Sequence, residues 1–176
     1  MSGKNVVKIN RAPVLTLWAA VVAERLGFKR DEALSLGKTV AGLNAQSKGR
    51  RLGIFKPTEE QIAEARKRRK AAEEFQVNLL GRAVSAINTE EGIRALNKDK
   101  PVEPESVERY LDKKFGDRLG DIRAAMADLA AAMDKDDLAK RAYGLYEQFR
   151  PEIPSGKTGW GAAGDLDLEK IRSLAG

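Results

Sequence analysis

The chain has 176 residues, a length that suits one domain of ordinary size or two small lobes. It contains no cysteine and no histidine, which excludes disulfides, thiol redox chemistry, zinc-finger ligation and the Ser-His and Cys-His nucleophile systems. Hydrophobic residues make up 42% and charged residues 33% of the chain, a balance typical of a soluble folded protein.

Charge is unevenly distributed along the chain, although the formal net charge is only +6. Residues 1–80 hold 16 basic and 8 acidic side chains, a net of +8, whereas residues 81–176 hold 16 and 18, a net of −2. A basic half favours a polyanionic partner such as nucleic acid or an anionic lipid surface. We find no apolar run long enough to span a bilayer and no signal-peptide pattern, so we expect a cytoplasmic protein.

The first elements of the chain are predicted to be helical. Residues 1–12 are mostly polar and are interpreted as an arm. Residues 13–26 predict a mostly buried helix that begins at Pro13, which suits a first helical turn. After Gly27, residues 31–45 predict a second helix opened by Asp31, and the glycines of residues 46–57 indicate a loop.

This first helix pair has the spacing of a DNA-binding motif. Ala23 and Gly27 are four residues apart, Phe28 follows, and Leu36 stands where an apolar residue would lock two crossing helices together. Over residues 19–40 the chain resembles helix-turn-helix DNA-binding proteins. The resemblance implies a recognition helix over residues 29–40, with these residues facing DNA: Lys29, Arg30, Ser35, Lys38 and Thr39. An ordinary helical hairpin with a glycine turn is the alternative.

Two further basic segments follow the helix pair. Arginines and lysines beside glycines at residues 48–56 can approach a phosphate backbone closely, and the predicted phosphate contacts there are Lys48, Arg50, Arg51 and Lys56.

Thr58 to Gln61 form a capping box, which predicts a helix running to about residue 87. Residues 66–70 are all basic, and five consecutive helical residues surround the axis, so this turn must face solvent or a polyanion. Pairing with glutamates occupies part of the run and leaves Arg66 and Lys67 free for phosphate, while a solvated helix is the alternative.

The second half predicts shorter helices. They cover about residues 89–97 and 105–115, then a helix opened by Asp117, a helix opened by Asp134 or Asp136, and a last short helix containing Leu168. Residues 150–164 are predicted to be a loop, within which residues 155–164 are rich in glycine. Trp160 in this loop is either packed against the helices or an exposed docking tip. The Gly156-Lys157-Thr158 sequence is not a Walker loop, because Pro151 stands where that motif needs a glycine.

The predicted fold class is therefore all-α. It comprises an N-terminal helical hairpin of helix-turn-helix type, a long charged connecting helix and a C-terminal helical bundle. The corresponding domain boundaries are residues 1–57 for a basic DNA-binding lobe, 58–88 for the connecting helix and 89–176 for the bundle.

The predicted function is nucleic-acid binding, with double-stranded DNA favoured over RNA, as a transcription regulator or nucleoid-type factor. The C-terminal helices would support a homo-oligomer. The alternative is a helical adaptor that binds protein and no nucleic acid. No catalytic constellation, metal site or cofactor is predicted, because the carboxylate groups stand where helices begin and are explained as caps.

Overall fold

The computed structural model describes residues 6–51, 74–97, 100–151 and 163–175. The helices are α1 (Arg11–Arg25), α2 (Arg30–Arg51), α3 (Pro104–Phe115), α4 (Leu119–Ala131), α5 (Lys135–Phe149) and α6 (Leu168–Ala175). The strands are β1 (Val6–Asn10), β2 (Phe75–Leu79), β3 (Arg82–Thr89), β4 (Gly92–Asn97), β5 (Lys100–Pro101) and β6 (Ala163–Asp167).

Helix α1 is the centre of the core. Every residue from Pro13 to Ala23 is buried, so the helix is covered on all sides rather than along one stripe. It contacts α2, α3, α4, α5 and β1. The indole of Trp18 donates a hydrogen bond to the Ala142 carbonyl at 2.8 Å, and its ring meets Phe149 edge to face at 5.3 Å. The mostly buried first helix that the sequence predicts is confirmed.

Helix α2 crosses α1 at close range because Gly37 lies at the contact. A Cβ at Gly37 would stand 2.6 Å from the Thr16 carbonyl oxygen and 3.0 Å from the Ala20 nitrogen. Only a residue without a side chain fits this crossing. The turn that precedes α2 contains Gly27, whose φ of +117° favours glycine.

The all-α prediction is wrong, because the described chain forms six strands in two antiparallel sheets. Strands β2, β3, β4 and β5 follow one another in one sheet, which packs on α2 through β3 and β4. Strand β1 pairs with β6 in the other, with Val6 opposite Asp167 and Asn10 opposite Ala163. The N-terminal arm is thus a strand in its second half, and part of the predicted loop over residues 150–164 is a strand as well.

The second half of the predicted connecting helix is the β2–β3 hairpin. Its apolar residues are three and four apart, as in a helix, but Phe75, Val77 and Leu79 also alternate with polar residues, as in a strand. Leu80 and Gly81 have φ values of 51° and 75°, which is the backbone of a two-residue hairpin turn. Residues 58–73 lie outside the described residues. The short helix predicted over 89–97 is also wrong, since Gly92–Asn97 is strand β4.

The remaining helix predictions agree with the structure. Helix α3 ends at Gly116, whose φ is +56°, and the buried residues of α5 include Leu138, Ala142 and Phe149, at the spacing of one helix face. The Asp134 carboxylate accepts a hydrogen bond from the Asp137 amide at 2.8 Å and so caps α5 as predicted. By contrast, Asp117 lies in a short 3-10 turn over Gly116–Arg118 and does not cap α4.

Candidate nucleic-acid interface

The two predicted contacts nearest the turn, Lys29 and Arg30, are exposed at the beginning of α2. The Arg30 guanidinium forms an ion pair with the Glu108 carboxylate of α3 at 2.8 Å. The Lys29 amide donates to the Glu32 carboxylate at 2.9 Å, and the same carboxylate accepts from the Ile93 amide at 2.9 Å. Burial acts to raise the pKa of Glu32, but these two amide hydrogen bonds and the charges of Lys29 and Arg94 lower it overall. Carboxylates therefore balance much of the positive charge at this end of α2.

Ser35 and Thr39 are both buried on α2, and Ser35 is bonded to the sheet. The Ser35 hydroxyl accepts a hydrogen bond from the Ala95 amide and donates one to the Val102 carbonyl, both at 2.8 Å. The Val102 amide in turn donates to the Ala95 carbonyl at 2.8 Å, so the hydroxyl takes part in the pairing of β4 with the chain after β5. Residues 33–37 are all buried, which leaves the expected recognition helix with no open face over this stretch. Neither hydroxyl is placed to reach DNA.

Lys38 lies on the side of α2 that faces α3. Its ammonium nitrogen stands 3.9 Å from the centroid of the Tyr110 ring, a cation–π contact, and its side chain is half-buried. Burial and the neighbouring Lys114 charge lower the pKa of Lys38. In the described parts of the chain, no carboxylate lies within ion-pair distance of Lys38, Lys113 or Lys114. We give the name α2–α3 basic surface to Lys38, Lys114 and the exposed Lys113, which precedes Lys114 in the last turn of α3.

Sequence reasoning missed Tyr110, Lys113 and Lys114. Tyr110 has the spacing of the apolar residues of its helix, and the two lysines stand in the last turn, where cations are common because they complement the helix dipole. The four-residue spacing of Tyr110 and Lys114 was a signal that both share one face of a helix. Nothing in the sequence places that face beside Lys38, because this contact depends on the packing of α2 against α3.

The other predicted contacts lie at the end of α2 and beyond it. Helix α2 continues through Arg51, so Lys48, Arg50 and Arg51 belong to its last turns rather than to a loop, although their side chains lie outside the described residues. At 1.5 Å per residue, Arg51 is about 20 Å along the axis from Lys38 and about 30 Å from Arg30. Lys56, Arg66 and Lys67 lie outside the described residues, as does Trp160. The contacts predicted at these positions therefore stay predictions.

A cleft of about 140 Å³ lies between α2, α3 and α4. Its charged walls are largely paired, since Arg30 binds Glu108 and the Arg123 guanidinium contacts the Glu24 carboxylate at 2.6 Å. The residues that line it are Arg30, Leu34, Glu108, Leu111, Asp112, Leu119 and Arg123. This internal pairing leaves the cleft with little charge to offer a ligand.

The carboxylates near the C-terminus have structural partners. Asp165 pairs with Lys8 at 2.7 Å across the β1–β6 sheet, and the Asp167 carboxylate accepts from the Glu169 amide at 3.0 Å at the start of α6. Within the described ranges, no group of three or more acidic side chains is arranged to hold a metal ion.

No helix in the described ranges is long and apolar enough to cross a membrane. Comparisons with protein families, curated proteins and solved structures find no match to this chain.

Proposed function

We propose that the protein binds double-stranded DNA through its phosphate backbone, using the α2–α3 basic surface and the cations Lys48, Arg50 and Arg51 further along α2. The observation that carries the proposal is the environment of Lys38. Its ammonium is half-buried on Tyr110 beside another cation, Lys114, without a carboxylate partner among the described residues. Positive charges held together in this way attract an anion, because an anion removes their mutual repulsion.

The uneven charge of the chain supports a polyanion rather than a single small anion as the partner. The net of +8 in residues 1–80 includes Lys38 and the cations of the later turns of α2. Several cations on one helix of 22 residues suit an extended phosphate backbone, which supplies regularly spaced negative charge, better than a single small anion.

Binding without base recognition fits the burial of Ser35 and Thr39. Base-specific contacts need polar side chains that reach into a groove, whereas both of these side chains are buried and the Ser35 hydroxyl is bonded to the sheet. Phosphate contacts by lysine and arginine carry no sequence information. A nucleoid-type role is therefore favoured over sequence-specific regulation.

The test compares two variants that each remove three positive charges. K38Q/K113Q/K114Q neutralises the α2–α3 basic surface, and K135Q/K140Q/R141Q neutralises three exposed cations on α5, which packs on α1 and α6. Binding to a labelled duplex at low salt is expected to weaken about tenfold or more in the first variant and much less in the second. Circular dichroism checks that both variants are folded.

Equal losses in the two variants would show that only net charge matters and would overturn the assignment of the surface. An acidic protein that is captured after nuclease treatment, in the absence of any duplex binding by the purified chain, would instead support the adaptor alternative.

A further inference from the structure

Strand β2 lies at one edge of the four-stranded sheet. It pairs with β3 on one side, where Phe75 stands opposite Ala86 and Leu79 opposite Arg82. On its other side, the described part of the chain provides no strand. An open edge of this kind presents N–H and C=O groups that can pair with a strand of another chain.

The hairpin turn between β2 and β3 determines which backbone groups face this open edge. The two-residue turn at Leu80 and Gly81 closes on Leu79 and the first residue of β3, which form a hydrogen-bonded pair. Hydrogen-bonded and non-hydrogen-bonded pairs alternate along an antiparallel ladder. Gln76 and Asn78 therefore direct their N–H and C=O groups away from β3, and both residues are exposed.

Strand β2 differs in composition from the other edge strands of the described sheets. Its sequence, Phe-Gln-Val-Asn-Leu, contains no charged residue and no proline. Strand β5 at the opposite edge of the same sheet consists of Lys100 and Pro101, β1 contains Lys8, and β6 contains Asp165 and Asp167. Charged side chains and prolines on an edge strand oppose pairing with another chain. Only β2, among these four strands, lacks such protection.

The order of residue types in β2 is the same in both chain directions, which suits pairing with a second copy of itself. In an antiparallel pair centred on Val77, this residue faces its own counterpart in a non-hydrogen-bonded pair. Phe75 then faces the Leu79 of the second copy on the apolar side of the sheet. Gln76 faces the Asn78 of the second copy on the polar side. Each of these Gln–Asn pairs is a hydrogen-bonded pair, so the register uses the backbone groups that β2 leaves open.

We propose that the edge of β2 is a self-association surface, through which two copies of the chain join their sheets across a two-fold axis at Val77. The pairing covers more of the Phe75 and Val77 side chains, which are only partly buried within one copy. Because β5 at the far edge is protected by Lys100 and Pro101, the assembly closes as a dimer rather than continuing as a fibre. A contact of five residues from each copy is small, so the dimer is expected to be weak and transient.

The first test uses two double variants of the same exposed residues, and it measures self-association by sedimentation equilibrium without DNA, from about 10 μM to about 1 mM protein. Q76K/N78K puts lysine opposite lysine across the proposed axis, whereas Q76K/N78E puts lysine opposite glutamate. Like charges directly opposite each other oppose strand pairing, and opposite charges favour it. We expect dimerisation about tenfold weaker or more in Q76K/N78K, and as strong as in the wild type or stronger in Q76K/N78E. Circular dichroism checks that both variants are folded.

The second test uses the absence of cysteine from the chain, which makes a single introduced cysteine an unambiguous reporter. In the proposed register the two Val77 Cα atoms are about 4.5 Å apart, a distance at which a disulfide can form. Val77→Cys should therefore give a covalent dimer on oxidation. Ala83→Cys is the control, since Ala83 is exposed on β3 and the two β3 strands would be about 14 Å apart.

A wild type that stays monomeric throughout this concentration range would overturn the proposal, as would equal self-association of the wild type and Q76K/N78K. Equal weakening in Q76K/N78K and Q76K/N78E, or equal cross-linking of V77C and A83C, would overturn the register centred on Val77. Species larger than a dimer would contradict the closed two-fold assembly. The inference does not rest on DNA binding, since β2 contains none of the lysines of the α2–α3 basic surface.

Discussion

The consecutive residues Gly37, Lys38 and Thr39 show how one short segment of α2 serves three different neighbours. Gly37 has no side chain and lets α2 approach the backbone of α1. Lys38 turns toward Tyr110 of α3. Thr39 is buried, and its hydroxyl contacts the carbonyl of Ser35 at 3.4 Å. The sequence Gly-Lys-Thr is also the end of a phosphate-binding loop motif, yet here the three residues are in the middle of a helix and do not form such a loop.

Gly37→Ala should destabilise the protein although alanine has the higher helix propensity. The added Cβ would meet the Thr16 carbonyl oxygen at 2.6 Å, and this backbone atom cannot move without shifting α1. We expect a loss of about 1–3 kcal/mol in the free energy of unfolding. Gly42→Ala in the same helix is the control, because a Cβ there meets nothing within 4 Å, and it should stabilise by about 0.5–1 kcal/mol. Urea unfolding measures both, and equal effects in the two variants would contradict the tight crossing.

Ser35→Ala separates a structural role from a DNA-contacting role. Removal of the hydroxyl leaves the Ala95 amide and the Val102 carbonyl without their side-chain partner, so we expect a loss of about 1–3 kcal/mol in unfolding free energy. Ser106→Ala is the control, since that hydroxyl is exposed at the start of α3. Duplex affinity of folded S35A should equal that of the wild type. Weaker duplex binding with unchanged stability would contradict this assignment and restore Ser35 as a DNA contact.

At the scale of elements, helices could be predicted from the sequence more successfully than strands. The helices α3, α5 and α6 carry apolar residues at helical spacing and, for α3 and α5, end signals at Gly116 and Asp134. Strands β2 and β3 were not predicted because the spacing of their apolar residues fits a helix as well as a strand. The hairpin turn at Leu80 and Gly81 is what makes this segment two strands. Of the candidate site, Lys38 could be predicted from its sequence context, but its partner Tyr110 depends on the contact between two helices.

The pairing of β1 with β6 gives an element-scale test, because a polar arm and a strand respond differently to substitution. Ile9 is 4% exposed within β1, and Ile9→Ala should therefore cost about 2–5 kcal/mol of unfolding free energy. Lys8→Ala on the outer side of the same strand removes only an exposed ion pair with Asp165 and should change stability by about 0.5 kcal/mol or less. Chemical denaturation distinguishes these outcomes. If neither substitution changed stability, residues 6–10 would be a polar arm rather than a paired strand.

At the scale of the whole molecule, cations that pair with a carboxylate and cations without such a partner lie in different places. Arg30 at the beginning of α2 forms an ion pair with Glu108, whereas the lysines of the α2–α3 basic surface have no carboxylate partner within the described residues. Helix α2 continues beyond that surface and carries further cations at Lys48, Arg50 and Arg51. The phosphate binding that we propose along this path would make duplex affinity depend strongly on salt.

The most direct test is the salt dependence of duplex binding, measured by fluorescence anisotropy with a labelled duplex over a range of sodium chloride concentrations. One phosphate contact for each of the six proposed cations predicts a slope of about −5.4 in a plot of log affinity against log salt. K38Q/K113Q/K114Q should lower the magnitude of this slope by about 2.7, because about 0.9 is lost for each of three contacts. The absence of duplex binding at low salt, or a slope that the triple substitution leaves unchanged, would contradict the account.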